Sequence, residues 1–268
     1  MSTPDVAVIG GSGFYSFLDD AREVAVSTPY GDASAPVSVG EVSGRTVAFL
    51  PRHGAGHAFP PHRINYRANL WALRSLGVRQ VLAPCAVGGL RPDVAPGDLV
   101  VPDQLVDRTA GRVQSYVESG AVHVPFADPY CGRLLETLGR QPEVTKGGAM
   151  VVVEGPRFST RAESQHYAAQ GWSLINMTGH PEAVLARELT MCYAAVALVT
   201  DMDAGVDSGA GVGQEEVFAM FAENIDRLKS LLGRVVADLP DPTGCPCATW
   251  TDGLTLTYEI PGTVRAEP

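Results

Sequence analysis

No apolar run in this chain reaches the roughly 18 residues that a bilayer-spanning helix needs. Its first residues, MSTPDVAVIGG, lack the basic segment that precedes the apolar stretch of a secretory signal. Both absences predict a cytoplasmic protein with no membrane partner. Basic residues are scarce too: 20 Lys and Arg stand against 30 Asp and Glu, a formal net charge of −10. Binding a nucleic-acid backbone requires a basic face, so nucleic acid is excluded as a partner. A small anion is not, because a few Arg side chains and backbone N–H groups can hold one inside an acidic protein. Charged residues make up only 19% of the 268 and hydrophobic ones 45%, which excludes wholesale disorder. There is no internal repeat, and the length suits one large domain.

Cysteine is also rare, with five in the chain. Cys85, Cys131 and Cys192 stand in apolar or strand-like surroundings and are expected to be buried and reduced. Cys245 and Cys247 form a Cys-Pro-Cys near the end. The rarity of cytosolic disulfides favours two free thiols in a tail. A redox clip or half a metal site are the other readings.

What is present is an alternation. Short apolar strands end repeatedly in polar or glycine-rich turns: Val6 to Ile9 before Gly10-Gly11-Ser12-Gly13, Val47 to Leu50 before Pro51-Arg52-His53-Gly54, and Val81 to Ala83 before Pro84-Cys85-Ala86. Met150 to Val153 precedes Glu154-Gly155-Pro156-Arg157, and Val196 to Thr200 precedes Asp201-Met202-Asp203. Between them, residues 63–76, 181–189 and 215–232 carry helical spacing, and the second of these opens on a proline suited to a first turn. Alternating strands and helices predict an α/β fold whose parallel or mixed sheet is covered on both faces. Ligands bind such sheets at the strand ends, where the unusual residues fall. Residues 204–213 read as a closing loop or a plain connector, and the segment after about Pro240 as an extended tail.

The strand ends carry the chemistry. Gly10-Gly11-Ser12-Gly13 can turn several N–H groups and a hydroxyl on one anion. It lacks the lysine of a P-loop and the full dinucleotide spacing, which sets ATP and NAD aside. Arg52 offers a fork for phosphate oxygens, and His53 a second donor. His53 and His57 would pair on a metal only on a helix, which two intervening glycines oppose, so no metal is expected there. Phe158 is either a stacking surface for a purine or core filler. Asp201 and Asp203, two apart on a strand, face one side, where like charges raise the proton affinity of one of them. Such a pair suits the N7 and 6-amino edge of adenine; a solvated loop end or a metal site are the alternatives.

In order along residues 5 to 236, VAVIGGSGFY, PRHGAGH, INYRANLWAL, PGDLVVPDQLVDRT, VEGPRFSTRAES, INMTGHPEAVLARE, CYAAVALVTDMDAG and the helix with AENIDRLKSLL resemble the methylthioadenosine phosphorylase family of the trimeric purine nucleoside phosphorylases. The resemblance implies a single α/β domain with a central mixed β-sheet flanked by helices, over residues 1–240, and a C-terminal extension at 241–268 packed on or beside it. It implies a homotrimer acting on a small nucleoside and inorganic phosphate, with no metal and no other cofactor. Phosphate would meet Ser12, Arg52, His53, Cys85, Ala86 and Thr178. Cys85 stands where eukaryotic relatives have Thr, which weakens one contact. The nucleoside would meet Phe158, Ser159, Asn176, Met177, Met202, Asp203, Gln214 and Val217, with Asp201 as the catalytic acid. His123 would reach into a neighbouring subunit's sugar pocket. Two acids favour adenine over the 6-oxopurines that a broad purine nucleoside phosphorylase takes. The 5'-methylthio group would sit by Val217 and Phe218. Gln214 either faces solvent in a first helical turn or marks a more polar 5' group, such as hydroxyl or halogen. His180, in TGHPE where eukaryotic relatives read TVPE, is taken as a local structural choice. A non-catalytic adenine-nucleoside sensor is the alternative outside enzymes.

Overall fold

The computed structural model describes residues 3–206 and 211–262. Its strands are β1 (Val6–Gly10), β2 (Arg22–Val24), β3 (Val37–Val42), β4 (Arg45–Pro51), β5 (Gln80–Gly89), β6 (Leu99–Val101), β7 (Gln104–Arg108), β8 (Val144–Lys146), β9 (Ala149–Val153), β10 (Leu174–Asn176) and β11 (Cys192–Met202). Its helices are α1 (Tyr66–Ser75), α2 (Gly132–Leu138), α3 (Arg161–Ala169), α4 (Gly179–Glu188) and α5 (Gln214–Asp238). The strands form one mixed sheet ordered β2-β3-β4-β1-β5-β10-β9-β7, with β11, β6 and β8 branching from β5. Strand β5 is the trunk. Gln80 to Leu82 pair with β1, Gly88 and Gly89 pair with β10, and β11 runs parallel along its whole length.

Strand alternation assigns the two cores. In β1, Ala7 and Ile9 face one side with Leu70 and Leu73 of α1 and Ala183, Leu185 and Ala186 of α4. Val6 and Val8 face the other with Leu134 of α2 and Phe221, Leu228, Leu231, Leu232 and Val235 of α5. The spacing of that α5 stripe is what the sequence pattern shows. Each fully buried aliphatic side chain contributes about 1.5–3 kcal/mol, and the stripe fixes α5 against the sheet. Helix α3 begins on a capping box, in which Thr160 and Glu163 satisfy each other's backbone N–H. Among the described residues no helix is long and apolar enough to cross a membrane.

Two expectations are corrected. Val81 to Ala83 does not end at Pro84-Cys85-Ala86; the strand continues to Gly89, held by β11 through Pro84↔Val196 and Cys85↔Ala197. Proline is tolerated there because a residue's N and O point to the same strand edge. The Pro84 carbonyl faces Arg52, in the gap between the β1 and β10 pairings, so the missing N–H is not needed for the ladder. Residues 241–262 do not run as an extended tail but pack against the body of the fold. Trp250 Nε1 donates to the Arg187 carbonyl at 2.6 Å and Tyr258 Oη to the Glu188 carbonyl at 2.7 Å. Both are last-turn acceptors of α4, where carbonyls run out of partners within the helix, although that of Arg187 also accepts from the N–H of Thr190 at 3.0 Å. Cys245 and Cys247 do not lie in a tail but are buried beside Cys131 and Cys192, and none of the four is in a disulfide. Of the glycine-rich loop, residues 207–210 lie outside the described residues.

Candidate functional site

The C-terminal ends of β1, β4, β5, β10 and β11 surround a cavity of about 510 Å³. Its floor is built where β1 and β4 end. Arg52, the residue after β4, is buried, and its guanidinium makes a two-point pair with Glu182 of α4, Nε–Oε2 at 2.7 Å and Nη2–Oε1 at 2.8 Å. Nη1 also donates to Pro84 O at 3.1 Å and Nη2 to Ile9 O at 3.3 Å. Burial works against the charge of Arg52, but Glu182 outweighs it and holds the guanidinium protonated. Four of five N–H groups are therefore committed, and Arg52 offers the cavity a single Nη1 donor rather than the expected fork. Gly11 makes this contact possible: a Cβ there would lie 3.1 Å from Arg52 Nη1 and 3.0 Å from Pro84 O.

His53 differs from expectation as well. Its Nδ1 lies 2.9 Å from the Phe59 carbonyl, which can only accept, so Nδ1 carries the proton. Burial pushes the ring's pKa down to about 3, with His57 and Arg52 adding to the drop. At neutral pH Nε2 is therefore a bare acceptor, suited to a hydroxyl on a protonated anion and not to a bare oxyanion. His57 stacks on His53 at 4.0 Å, and its Nδ1 is 3.2 Å from the Tyr15 hydroxyl. Cys85 is buried in the same floor, and burial pushes its thiol up to about 12, so it meets an anion as a neutral, weak S–H donor.

The opposite chemistry sits where β11 ends. A register shift after Val199 sets Asp201 opposite Gly88. A Cβ on Gly88 would lie 3.1 Å from Asp201 Oδ1 and 3.2 Å from Asp203 Cβ, so both acids pack over a residue that has no side chain. Asp201 accepts from Thr200 Oγ1 at 2.8 Å, and Asp203 from Ser164 Oγ at 2.5 Å. Burial raises the Asp201 pKa to about 6, with Thr200 opposing the rise and Asp203 and then Glu216 adding to it. The like charge foreseen from the sequence contributes, but desolvation is the larger cause.

The sequence profile of the Phosphorylase superfamily matches residues 5–239. A purine nucleoside phosphorylase of Streptomyces coelicolor is 58% identical, over 96% of this chain and 98% of its own length. An S-methyl-5'-thioadenosine phosphorylase of Mycolicibacterium smegmatis is also 58% identical, over 96% of this chain and 99% of its own. The chain belongs to the phosphorylase superfamily, in its methylthioadenosine phosphorylase family. The crystallised methylthioadenosine phosphorylase of Schistosoma mansoni in complex with adenine superposes with a TM-score of 0.84 at 35% identity, covering 87% of this chain and 91% of that one.

In this phosphorylase the cavity brings together Ser12, Arg52, His53, Cys85, Ala86, Phe158, Ser159, Asn176, Met177, Thr178, Asp201, Asp203, Gln214 and Val217. Met202 does not join them; its sulfur packs over Gly89, 3.0 Å from where a Cβ there would lie. His123 is exposed and lies outside this cavity. Several lining residues are already spoken for. Asn176 Oδ1 accepts from the N–H of Thr178 at 2.7 Å and of Gly179 at 2.6 Å, while its Nδ2 donates to Ala86 O at 3.1 Å. It shapes the turn between β10 and α4 and keeps one Nδ2 hydrogen uncommitted among the described residues. The Met177 carbonyl accepts from Arg112 Nη1 at 2.9 Å, so a backbone contact from Met177 to a sugar would come from its N–H. Gln214 is exposed in the first turn of α5, at the cavity mouth.

Sequence reasoning missed Glu182, Arg112 and Ser164. Glu182 is fully buried and also accepts from the Tyr193 hydroxyl at 2.8 Å. Its signal was an acid within the otherwise apolar start of α4. Arg112 ties Met177, His180, Val153 and Glu154 carbonyls together, and nothing local in its loop marks that role. His180 is buried outside the cavity, with Nε2 2.6 Å from Gln114 Oε1, which is the structural role expected of it.

Proposed function

We propose that this chain is a pentosyltransferase that uses inorganic phosphate to cleave 5'-methylthioadenosine into adenine and 5-methylthioribose 1-phosphate, a step of methionine and purine salvage. The observation that carries the reading is Asp201: a carboxylate whose pKa is raised to about 6, beside Asp203, lining the cavity that Arg52, His53 and Ser12 also line. A group that holds a proton near neutral pH is what a departing purine requires. The bond from C1' to N9 lengthens, its electrons pass to the purine, and Asp201 delivers its proton to N7. Asp203 accepts from the 6-amino group. A phosphate oxygen bonds to C1' and loses its hydroxyl proton as the ester forms; that proton replaces the one taken from Asp201, so the balance closes. The bare Nε2 of His53 accepts the phosphate hydroxyl, and Ser12, Thr178 and the free Nη1 donor of Arg52 hold the other oxygens. Phosphate serves as co-substrate, and no other cofactor enters a step.

A 6-oxopurine would present its carbonyl to Asp203, an acceptor to an acceptor, which disfavours inosine and guanosine. Val217 and Phe218 offer an apolar wall to a thioether, and the exposed Gln214 leaves no amide stranded there. The working enzyme is a cytoplasmic homotrimer in which His123 closes a neighbour's sugar pocket. Turnover of methylthioadenosine, adenosine, a 5'-halogenated adenosine and methylthioinosine, each with and without phosphate, tests the reading. Methylthioadenosine should lead and phosphate should be obligatory. Adenine binding without turnover would point to a sensor, and a preference for methylthioinosine would remove the role given to the acids.

A further inference from the structure

Four of the five cysteines meet at one point, drawn from three segments far apart in the chain. Cys131 immediately precedes α2, Cys192 opens β11, and Cys245 and Cys247 lie in the turn after α5. All four are buried, at 2%, 4%, 2% and 7% exposure, and their sulfurs lie within 4.8 Å of one another. Cys131 Sγ is 3.6 Å from Cys245 Sγ, and Cys192 Sγ is 3.4 Å from it. A disulfide requires about 2.05 Å. A tetrahedral ion with metal–sulfur bonds of about 2.3 Å has sulfurs about 3.8 Å apart. The observed separations fall around the second figure and well beyond the first.

We propose that Cys131, Cys192, Cys245 and Cys247 form a closed four-thiolate site for one zinc ion that fastens the C-terminal segment to the body of the fold. The carriers of the sulfurs are fixed. The N–H of Cys131 donates to Tyr193 O at 2.9 Å and that of Cys192 to Arg79 O at 2.8 Å, while Cys245 O accepts from Ala248 N at 2.9 Å. Arg133, beside the cluster in sequence, donates to the Thr243 carbonyl at 3.3 Å and holds the incoming turn. Four protein sulfurs fill a zinc ion's tetrahedral shell, and none of the four lines the cavity, so the site is structural and apart from the chemistry. Binding converts four thiols and one Zn²⁺ into a tetrathiolate of charge −2 and releases four protons, with no change of oxidation state. The segment it secures carries Trp250 and Tyr258, which satisfy the last carbonyls of α4. Helix α4 in turn carries Glu182 beneath Arg52. The ion thus supports the cavity floor from behind.

The test is made on the full-length chain expressed in zinc-replete medium. Elemental analysis should find about one zinc per chain, and X-ray absorption a sulfur-only shell at about 2.3 Å. Replacement by Co²⁺ should give the thiolate charge-transfer and tetrahedral ligand-field bands of a four-sulfur site. Cys247→Ser should lose most of the metal, whereas Cys85→Ser, which removes the one cysteine outside the cluster, should keep it. If Cys247→Ser does not fold, release of zinc from the parent chain by a mercurial thiol reagent, followed with a chromophoric chelator, gives the same reading. A metal-free chain with all five thiols reactive after unfolding overturns the proposal. So does a mass lower by the hydrogens of two disulfides. The result does not depend on which nucleoside is cleaved.

Discussion

Two buried sets of charge border the same cavity and are resolved in opposite ways. Arg52 and Glu182 are opposite charges in contact at two points, with further partners in Ile9, Pro84 and Tyr193. Asp201 and Asp203 are like charges at the end of β11, each with one hydroxyl donor among the described residues, Thr200 and Ser164. The first set is satisfied in the absence of any ligand, and its work is to hold shape. The second is left short of partners, and the deficit appears as a carboxylate that keeps its proton up to about pH 6. A buried group whose demands the fold meets is scaffold; one whose demands a ligand must meet is chemistry.

The comparison can be broken most severely at Asp201. Asp201→Asn keeps the shape and removes the transferable proton. It should lower kcat by about 10²–10⁴-fold with a smaller change in KM. Turnover within a few-fold of the parent would dismiss Asp201 as the acid.

Next in size is the paired set. Glu182→Gln leaves Arg52 buried without its countercharge and should cost about 3–5 kcal/mol of stability in urea unfolding. Replacing both partners with apolar residues, Arg52→Met with Glu182→Leu, should restore much of that stability and none of the turnover. Loss of stability in the double variant equal to that in the single one would mean the pair does not act as a unit.

The same contrast predicts a gain. Asp201 binds its proton more tightly folded than unfolded, since its pKa rises from 3.8 to about 6. Its favourable contribution is complete below about pH 4 and is lost as pH climbs through about 6, a penalty of about 3 kcal/mol above that. Asp201→Asn should therefore be more stable than the parent at pH 8 by up to about 3 kcal/mol, and not at pH 4. Denaturation of both chains at the two pH values checks it; equal stabilities at pH 8 would show that the acid is not strained.

The smallest effect belongs to the cavity mouth. Gln214→Leu should shift the methylthioadenosine-to-adenosine preference in kcat/KM by no more than about 10-fold, since an exposed first-turn side chain touches only the 5' end. A larger shift would place the amide in direct contact with that group.

Much of this was legible in the sequence because it is written locally. Strand alternation, the glycine turn at Gly10-Gly11-Ser12-Gly13, the i, i+2 spacing of Asp201 and Asp203 and the apolar stripe of α5 each need only near neighbours in the chain. Most of the proposed site residues do line one cavity for that reason: they sit at strand ends, and a mostly parallel core brings strand ends to one side. What local reading got wrong involves partners from afar. It ended β5 at Pro84, because only the gap between β1 and β10 excuses the missing N–H. It gave Arg52 a free fork, because Glu182 lies 130 residues on. It gave His53 a proton to donate, because the Phe59 carbonyl claims Nδ1 only once the loop has folded back.

By itself, then, the sequence determined the element types, the α/β order and which residues stand at strand ends, since propensity and periodicity act between residues a few positions apart. The tertiary structure alone decided which of those residues remain free to act. Whether a buried charge is neutralised, which histidine nitrogen bears the proton, and that Cys131, Cys192, Cys245 and Cys247 share one point all depend on burial and on contacts between segments distant in the chain. Electrostatic energies change most steeply with those two quantities, and composition and spacing do not encode them.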